Sequence, residues 1–159
     1  MNFTKIFLFA AFLFTFSAVS AQRTRGKKTP AITAYKVPKL TTTLAGFKDT
    51  TGISAKEAVA ALAAPLNITD AKGAPYTISS YQFAYKQIVV TEDESLNGKA
   101  MRTSALKSSL FKTSPLPPLW VNLVSEKLVP GEELYFFAVT VKDAQGHLMY
   151  APDLKLFIK

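Results

Sequence analysis

Apolar residues recur along this chain with more than one spacing, and each spacing predicts its own kind of element. Between Tyr76 and Val90 they alternate with polar residues, first in the phase of Tyr76 and Ile78, then in that of Tyr81, Phe83 and Tyr85. Strand side chains change face at every residue, so this phase change predicts a long strand with a bulge near Ser79-Ser80. Leu134 to Lys142 predicts another strand, with Tyr135, Phe137, Val139 and Val141 on one face and Leu134 and Phe136 opening the other. Asp143-Ala144-Gln145-Gly146 turns the chain into a return strand carrying Leu148, Tyr150, Leu154, Leu156 and Ile158. Pro152 has no N–H to give a ladder, so it marks an edge or a bulge in that strand.

Other segments carry helix and turn signals. Ser54-Ala55-Lys56-Glu57 forms a capping box, in which the Ser54 hydroxyl accepts the Glu57 N–H and the Glu57 carboxylate reaches back. The alanine-rich helix that follows runs to Ala64 and stops at Pro65. Its thin apolar face, Val59 and Leu62, predicts a small lid. Leu66 to Thr69 predicts a short strand and Asp70-Ala71-Lys72-Gly73 a turn. Thr91 to Gly98 is acidic and loop-like, closed by the turn pair Asn97-Gly98. Ala105 to Phe111 fits either a short strand or a turn of helix. Ser114-Pro115 opens a second helix with an apolar stripe of Leu116, Leu119, Trp120, Leu123 and Val124, and Lys127 at its end. Val129-Pro130-Gly131-Glu132 is a turn with Pro and Gly in its central positions. The expected fold class is mainly β, β-sandwich-like and antiparallel, with one or two short helices packed on it.

The N-terminus follows different rules. Lys5 precedes an apolar run from Ile6 to Val19, and Val19-Ser20-Ala21 offers a small-residue cleavage site, the pattern of a secretory signal peptide over residues 1–21. The run is about 14 residues, short of the ~20 that a spanning helix needs. Export to the periplasm or the extracellular space is expected, with no stable membrane insertion after cleavage. Residues 22–48 hold seven basic residues and no acidic one, whereas 49–159 hold 11 of each. The positive excess therefore sits in an N-terminal arm, and Pro30, Pro38 and scattered threonines suit a flexible tether over residues 22–40. A neutral body argues against nucleic acid as a partner. The expected domain spans residues 41–159.

Composition limits the chemistry. The chain has 159 residues, no cysteine and one histidine. Disulfide frameworks, thiolate zinc sites, thiol nucleophiles and multi-histidine metal centres are excluded. His147 follows a hairpin glycine, where an exposed turn residue is expected rather than a triad member beside Ser104, Ser108 or Ser109. Glu92, Asp93 and Glu94, with Glu132 and Glu133, are the carboxylates available for glycosidic work or calcium, but consecutive acids in a loop are ordinarily solvated. No Gly-rich phosphate loop occurs in the required context. No catalytic set, metal or cofactor is expected. Tyr76, Tyr81, Tyr85, Trp120 and Tyr150 serve either as core and strand-face packing or as an aromatic platform for a sugar or peptide.

The order of several short motifs resembles the C-terminal periplasmic domain of the gliding-motility and type IX secretion protein GldM. The motifs are Gly52-Ile53-Ser54 before a short helix and Tyr76-x-Ile78-Ser79-Ser80-Tyr81-x-Phe83 in the first long strand. Leu128-Val129-Pro130-Gly131-Glu132-Glu133-Leu134-x-Phe136 follows, then Val139-x-Val141 with Gly146 beyond it, and finally Pro152-x-Leu154 with Ile158. The resemblance covers roughly residues 45–159. It implies a non-enzymatic, β-rich module that docks envelope proteins. Without the retained transmembrane helix and preceding domains of that family, a stand-alone exported relative is expected. Candidate contacts are Tyr81, Tyr85 and Tyr150, with Arg23, Arg25, Lys27 and Lys28 of the arm. The alternative is a carbohydrate-binding module or adhesin for envelope or host glycans.

Overall fold

The computed structural model describes residues 35–93 and 99–159. The expected signal peptide and Arg23, Arg25, Lys27 and Lys28 lie outside the described residues. In chain order the elements are β1 (Leu40–Leu44), β2 (Thr51–Ile53), α1 (Ala55–Leu62), β3 (Leu66–Asp70), β4 (Thr77–Asp93) and β5 (Lys99–Phe111). Then come α2 (Pro118–Ser125), β6 (Glu133–Lys142), β7 (Leu148–Tyr150) and β8 (Leu154–Ile158). The chain is mainly β, with two short helices packed on antiparallel and mixed sheets.

The larger sheet has the order β2-β8-β6-β4-β5, with β7 also paired to β6. Its ladders are antiparallel except β2–β8, which is parallel. β1 and β3 form a separate antiparallel pair. β6 carries β8 along Glu133 to Phe136 and β7 along Thr140 to Lys142, in one common register. β7 and β8 are thus one strand interrupted around Pro152, which falls opposite Ala138. Thr42 of β1 is buried and donates to the Pro152 carbonyl at 2.6 Å, tying the small sheet to this interruption.

One face of the large sheet builds the core. Tyr81, Phe83 and Tyr85 of β4 are buried there with Leu134, Phe136, Val139 and Val141 of β6 and Leu154, Leu156 and Ile158 of β8. Leu40, Leu44, Leu66 and Ile68 of the small sheet, Ala58, Ala61 and Leu62 of α1 and Val124 of α2 complete the same cluster. Trp120 meets Phe83 and Phe111 edge-on, with ring centroids 5.7 and 5.6 Å apart. Each large side chain so buried contributes about 1.5–3 kcal/mol.

Several expectations hold in detail. Ser54 and Glu57 form the reciprocal capping box. The β4–β6 register shifts between Ile78 and Ser80, where the bulge was expected. Others need correction. A second shift lies between Ser80 and Gln82, opposite Ala138, whose φ is 49°. This bulge turns β6 over, so Leu134 and Phe136 share the buried side with Val139 and Val141, while Tyr135 and Phe137 do not. α1 buries Ala58, Ala61 and Leu62 rather than Val59, and so belongs to the core instead of lying over it. α2 begins at Pro118 without a side-chain cap, and the Ser114 hydroxyl instead accepts the Leu66 N–H at 2.7 Å. Leu119, placed in the apolar stripe, is exposed. The ambiguous segment 99–113 is the long strand β5.

Candidate functional site

The opposite face of the large sheet is open. Register places Gln82, Ala84 and Lys86 of β4 in one row beside Leu110, Ser108 and Leu106 of β5. On their other side stand Phe137, Tyr135 and Glu133 of β6, followed by Lys155 and Phe157 of β8. Along the β4 row Lys86 is exposed, Gln82 half-buried and the small Ala84 buried. Leu106 and Leu110 are 68% and 59% exposed. Tyr135, Phe137 and Phe157 are half-buried by their neighbours alone.

The centre of this face is held in place. The Tyr135 and Phe137 rings stack at 4.8 Å with 15° between planes. Lys155 Nζ lies 5.3 Å from the Tyr135 ring centre and 5.7 Å from that of Phe157, within cation–π range. Glu133 binds Lys86 at 2.9 Å and Lys155 at 3.4 Å. The Lys86 hydrogen bond, against a smaller desolvation effect, holds the Glu133 carboxyl below its usual range. The Tyr135 hydroxyl donates to Asp153 Oδ2, and that bond raises its pKa. Charge is therefore fixed among aromatic rings, which restricts their rotamers and pre-organises the surface.

At one margin of the face runs β5, paired to β4 along all 13 of its residues and, among the described residues, to nothing on its other side. In an antiparallel ladder alternate residues turn their N–H and C=O groups toward each neighbour, so half of those on β5 point away from the sheet. The opposite margin, β2, has only Thr51–Ile53.

The residues expected to contact a partner divide. Tyr150 is 78% exposed on β7. Tyr81 and Tyr85 are corrected to core residues, wholly buried because the strand phase that carries them faces the helices and the small sheet. The Tyr81 hydroxyl donates to the Thr113 carbonyl at 3.1 Å and that of Tyr85 to Glu132 Oε2 at 2.5 Å. The aromatic platform of five residues is thus not assembled, since Trp120 also packs against the core. Tyr135, Phe137 and Phe157 were missed as surface residues. Their alternation was visible, but the bulge at Ala138 decides which face they take.

The candidate catalytic groups do not converge. His147 Nδ1 lies 2.7 Å from Asp143 Oδ2, and the Tyr35 hydroxyl donates to the same oxygen at 2.8 Å. Desolvation opposes ionisation of Asp143, but bonds from His147, Tyr35 and the backbone of His147 and Gln145 outweigh it and leave the carboxyl far below its usual range. The bond to Asp143, with desolvation, pushes Tyr35 up to about 12. In this arrangement the phenol is bound to the acid and not to the imidazole, so it is not the Ser–His–Asp relay. Ser104, Ser108 and Ser109 stand on β5, which β4 separates from the strand leading to His147. Glu132 is buried and accepts three hydrogen bonds, while Glu133 is paired to two lysines. Among the described residues no group of three His, Asp or Glu side chains is placed to hold a metal ion, and no helix is long and apolar enough to cross a membrane. Compared with protein-family models, curated proteins and solved structures, the chain matches none.

Proposed function

We propose that this chain is an exported, non-catalytic protein-interaction domain of the bacterial cell envelope, of the kind implied by its resemblance to the GldM C-terminal module. The observation that carries this reading is the open sheet face, where Leu106, Leu110 and the Tyr135–Phe137 stack meet solvent beside a fixed Lys86–Glu133–Lys155 network. Exposed apolar side chains around a rigid aromatic centre are the composition of a binding surface. The basic arm, with Arg23, Arg25, Lys27 and Lys28, adds long-range attraction to an acidic partner. The glycan alternative is weaker, because Tyr81 and Tyr85 are buried, Tyr76 and Trp120 pack against the core, and of the five aromatic candidates Tyr150 alone is exposed.

The test is site-specific photo-crosslinking in envelope preparations of the native host. A probe at Leu110 is expected to form a discrete protein adduct that Leu106→Glu abolishes. A probe at Lys56, exposed on α1, is expected to form none. Equal labelling from both positions, or none from Leu110, overturns the reading.

A further inference from the structure

Resting on the interaction reading above, we infer that the partner supplies an extended acidic segment, which adds as a further strand to the free edge of β5. Three observations converge on it. The first is length. β5 offers 13 residues of continuous edge, free of proline, whereas the other margin offers three. A strand added there gains main-chain hydrogen bonds along its whole course, and its alternate side chains fall on the two faces of the sheet.

The second is charge. From residue 99 to residue 125 the chain holds Lys99, Arg102, Lys107 and Lys112 and no acidic residue, although residues 49–159 as a whole are neutral. Arg102, Lys107 and Lys112 are exposed. Among the residues whose side chains the structure describes, none pairs with any of these three. The acidic Glu92 and Asp93 belong to the end of β4, not to the free edge. Basic side chains along an edge oppose pairing with a second copy of the same strand, since like charges would face each other. The same side chains attract a strand of opposite sign.

The third is what flanks the edge. On the open face the new strand would lie beside Leu106 and Leu110. On the other face a depression between β5 and α2 is lined by Lys107, Leu119, Asn122, Leu123, Glu126 and Lys127, two cations against one carboxylate. Both sides therefore present an aliphatic residue next to a cation or within reach of one. A segment alternating carboxylate and aliphatic side chains complements both.

The experiment uses the purified chain and a synthetic peptide of β5's length that alternates Glu with Val and Thr. Two controls replace every Glu by Gln, or keep the charge and N-methylate alternate residues so that one edge cannot donate. Binding is read by fluorescence anisotropy, and backbone amides of β5 by hydrogen exchange. The acidic peptide is expected to bind, both controls to bind at least about tenfold more weakly, and alternate β5 amides to gain protection while those of β2 do not. Arg102→Gln with Lys107→Gln is expected to weaken the acidic peptide by a similar factor. Unchanged Trp120 fluorescence would show that this variant is folded. Equal binding of the N-methylated peptide, equal protection by heparin, or self-association of the free chain through β5 overturns the proposal. If the acidic peptide fails while Leu110 still crosslinks a protein, the strand addition is wrong and the interaction reading survives. If both fail, both fall.

Discussion

Tyr85 donates a 2.5 Å hydrogen bond to Glu132, a carboxylate sealed from solvent beneath the turn that starts β6. The same carboxylate accepts the Ile88 N–H at 2.9 Å and the Val129 N–H at 3.0 Å. It therefore joins β4 to both ends of the Val129–Glu132 turn. A buried carboxylate is tolerated because its oxygens are satisfied, and removing it strands three donors. Glu132→Ala is expected to cost about 3–5 kcal/mol, and Glu132→Gln about 1–3 kcal/mol because its amide presents a donor where an acceptor is needed. Urea unfolding followed by Trp120 fluorescence checks both. A loss within error of zero for Glu132→Ala would refute this account of the turn.

The two buried tyrosines predict alkaline sensitivity. Burial pushes Tyr81 up to about 12. Burial, with the bond to Glu132, also pushes Tyr85 up. An unfolded tyrosine titrates near ~10. The folded state therefore prefers the protonated phenols, and their contribution is full below about pH 10 and lost as pH rises through the folded values. Melting temperature should fall steadily above about pH 10, with tyrosinate absorbance appearing together with unfolding. Tyr81→Phe should flatten that slope.

Backbone sign sets a pair of opposite expectations. Ala138 holds φ at 49°, a region that costs a residue with a Cβ, so Ala138→Gly should stabilise by about 0.5–1 kcal/mol. Gly131 has φ at +94°, and a Cβ there would stand 3.0 Å from Ile88 Cδ1. Gly131→Ala should destabilise by about 1–2 kcal/mol, and adding Ile88→Val should recover only the steric part. Thermal melts of the three variants decide the signs.

Asp143 organises the hairpin between β6 and β7. Its Oδ1 accepts the N–H groups of Gln145 and His147 at 2.9 and 2.8 Å, and its Oδ2 serves Tyr35 and His147. Because these bonds depress its pKa, the stability it gives is present above the unfolded carboxyl value and lost as pH falls toward the folded one. Asp143→Asn should speed amide exchange at Gln145 and His147 at neutral pH. The native chain should approach that behaviour in acid. Unchanged exchange in the variant would show that the turn needs no carboxylate.

Local chemistry was readable wherever one or two residues dictate the geometry. Ser54 with Glu57, the phase change at Ser79-Ser80, and Pro130-Gly131 each announced the element they form. The failures share another cause. The start of α2 moved because Ser114 was taken by Leu66, 48 residues away in sequence, a competition no local pattern displays. β5 was ambiguous because an edge strand exposed along most of its length, with only Phe111 in the core, has little apolar alternation to show. Tyr81 and Tyr85 were correctly placed on one strand face, but which face meets the helices is a tertiary fact. Ala138 gave no glycine signal for its bulge, so the faces of β6 were assigned in the wrong phase over its second half.

The two margins of the sheet differ in a way that limits growth. A domain that receives a strand at β5 has no comparable strand to offer from β2, whose three residues already lie in parallel pairing with β8. Among the described residues, head-to-tail propagation through successive copies therefore finds no second surface to continue from, so occupancy of the long margin favours a finite complex over a filament.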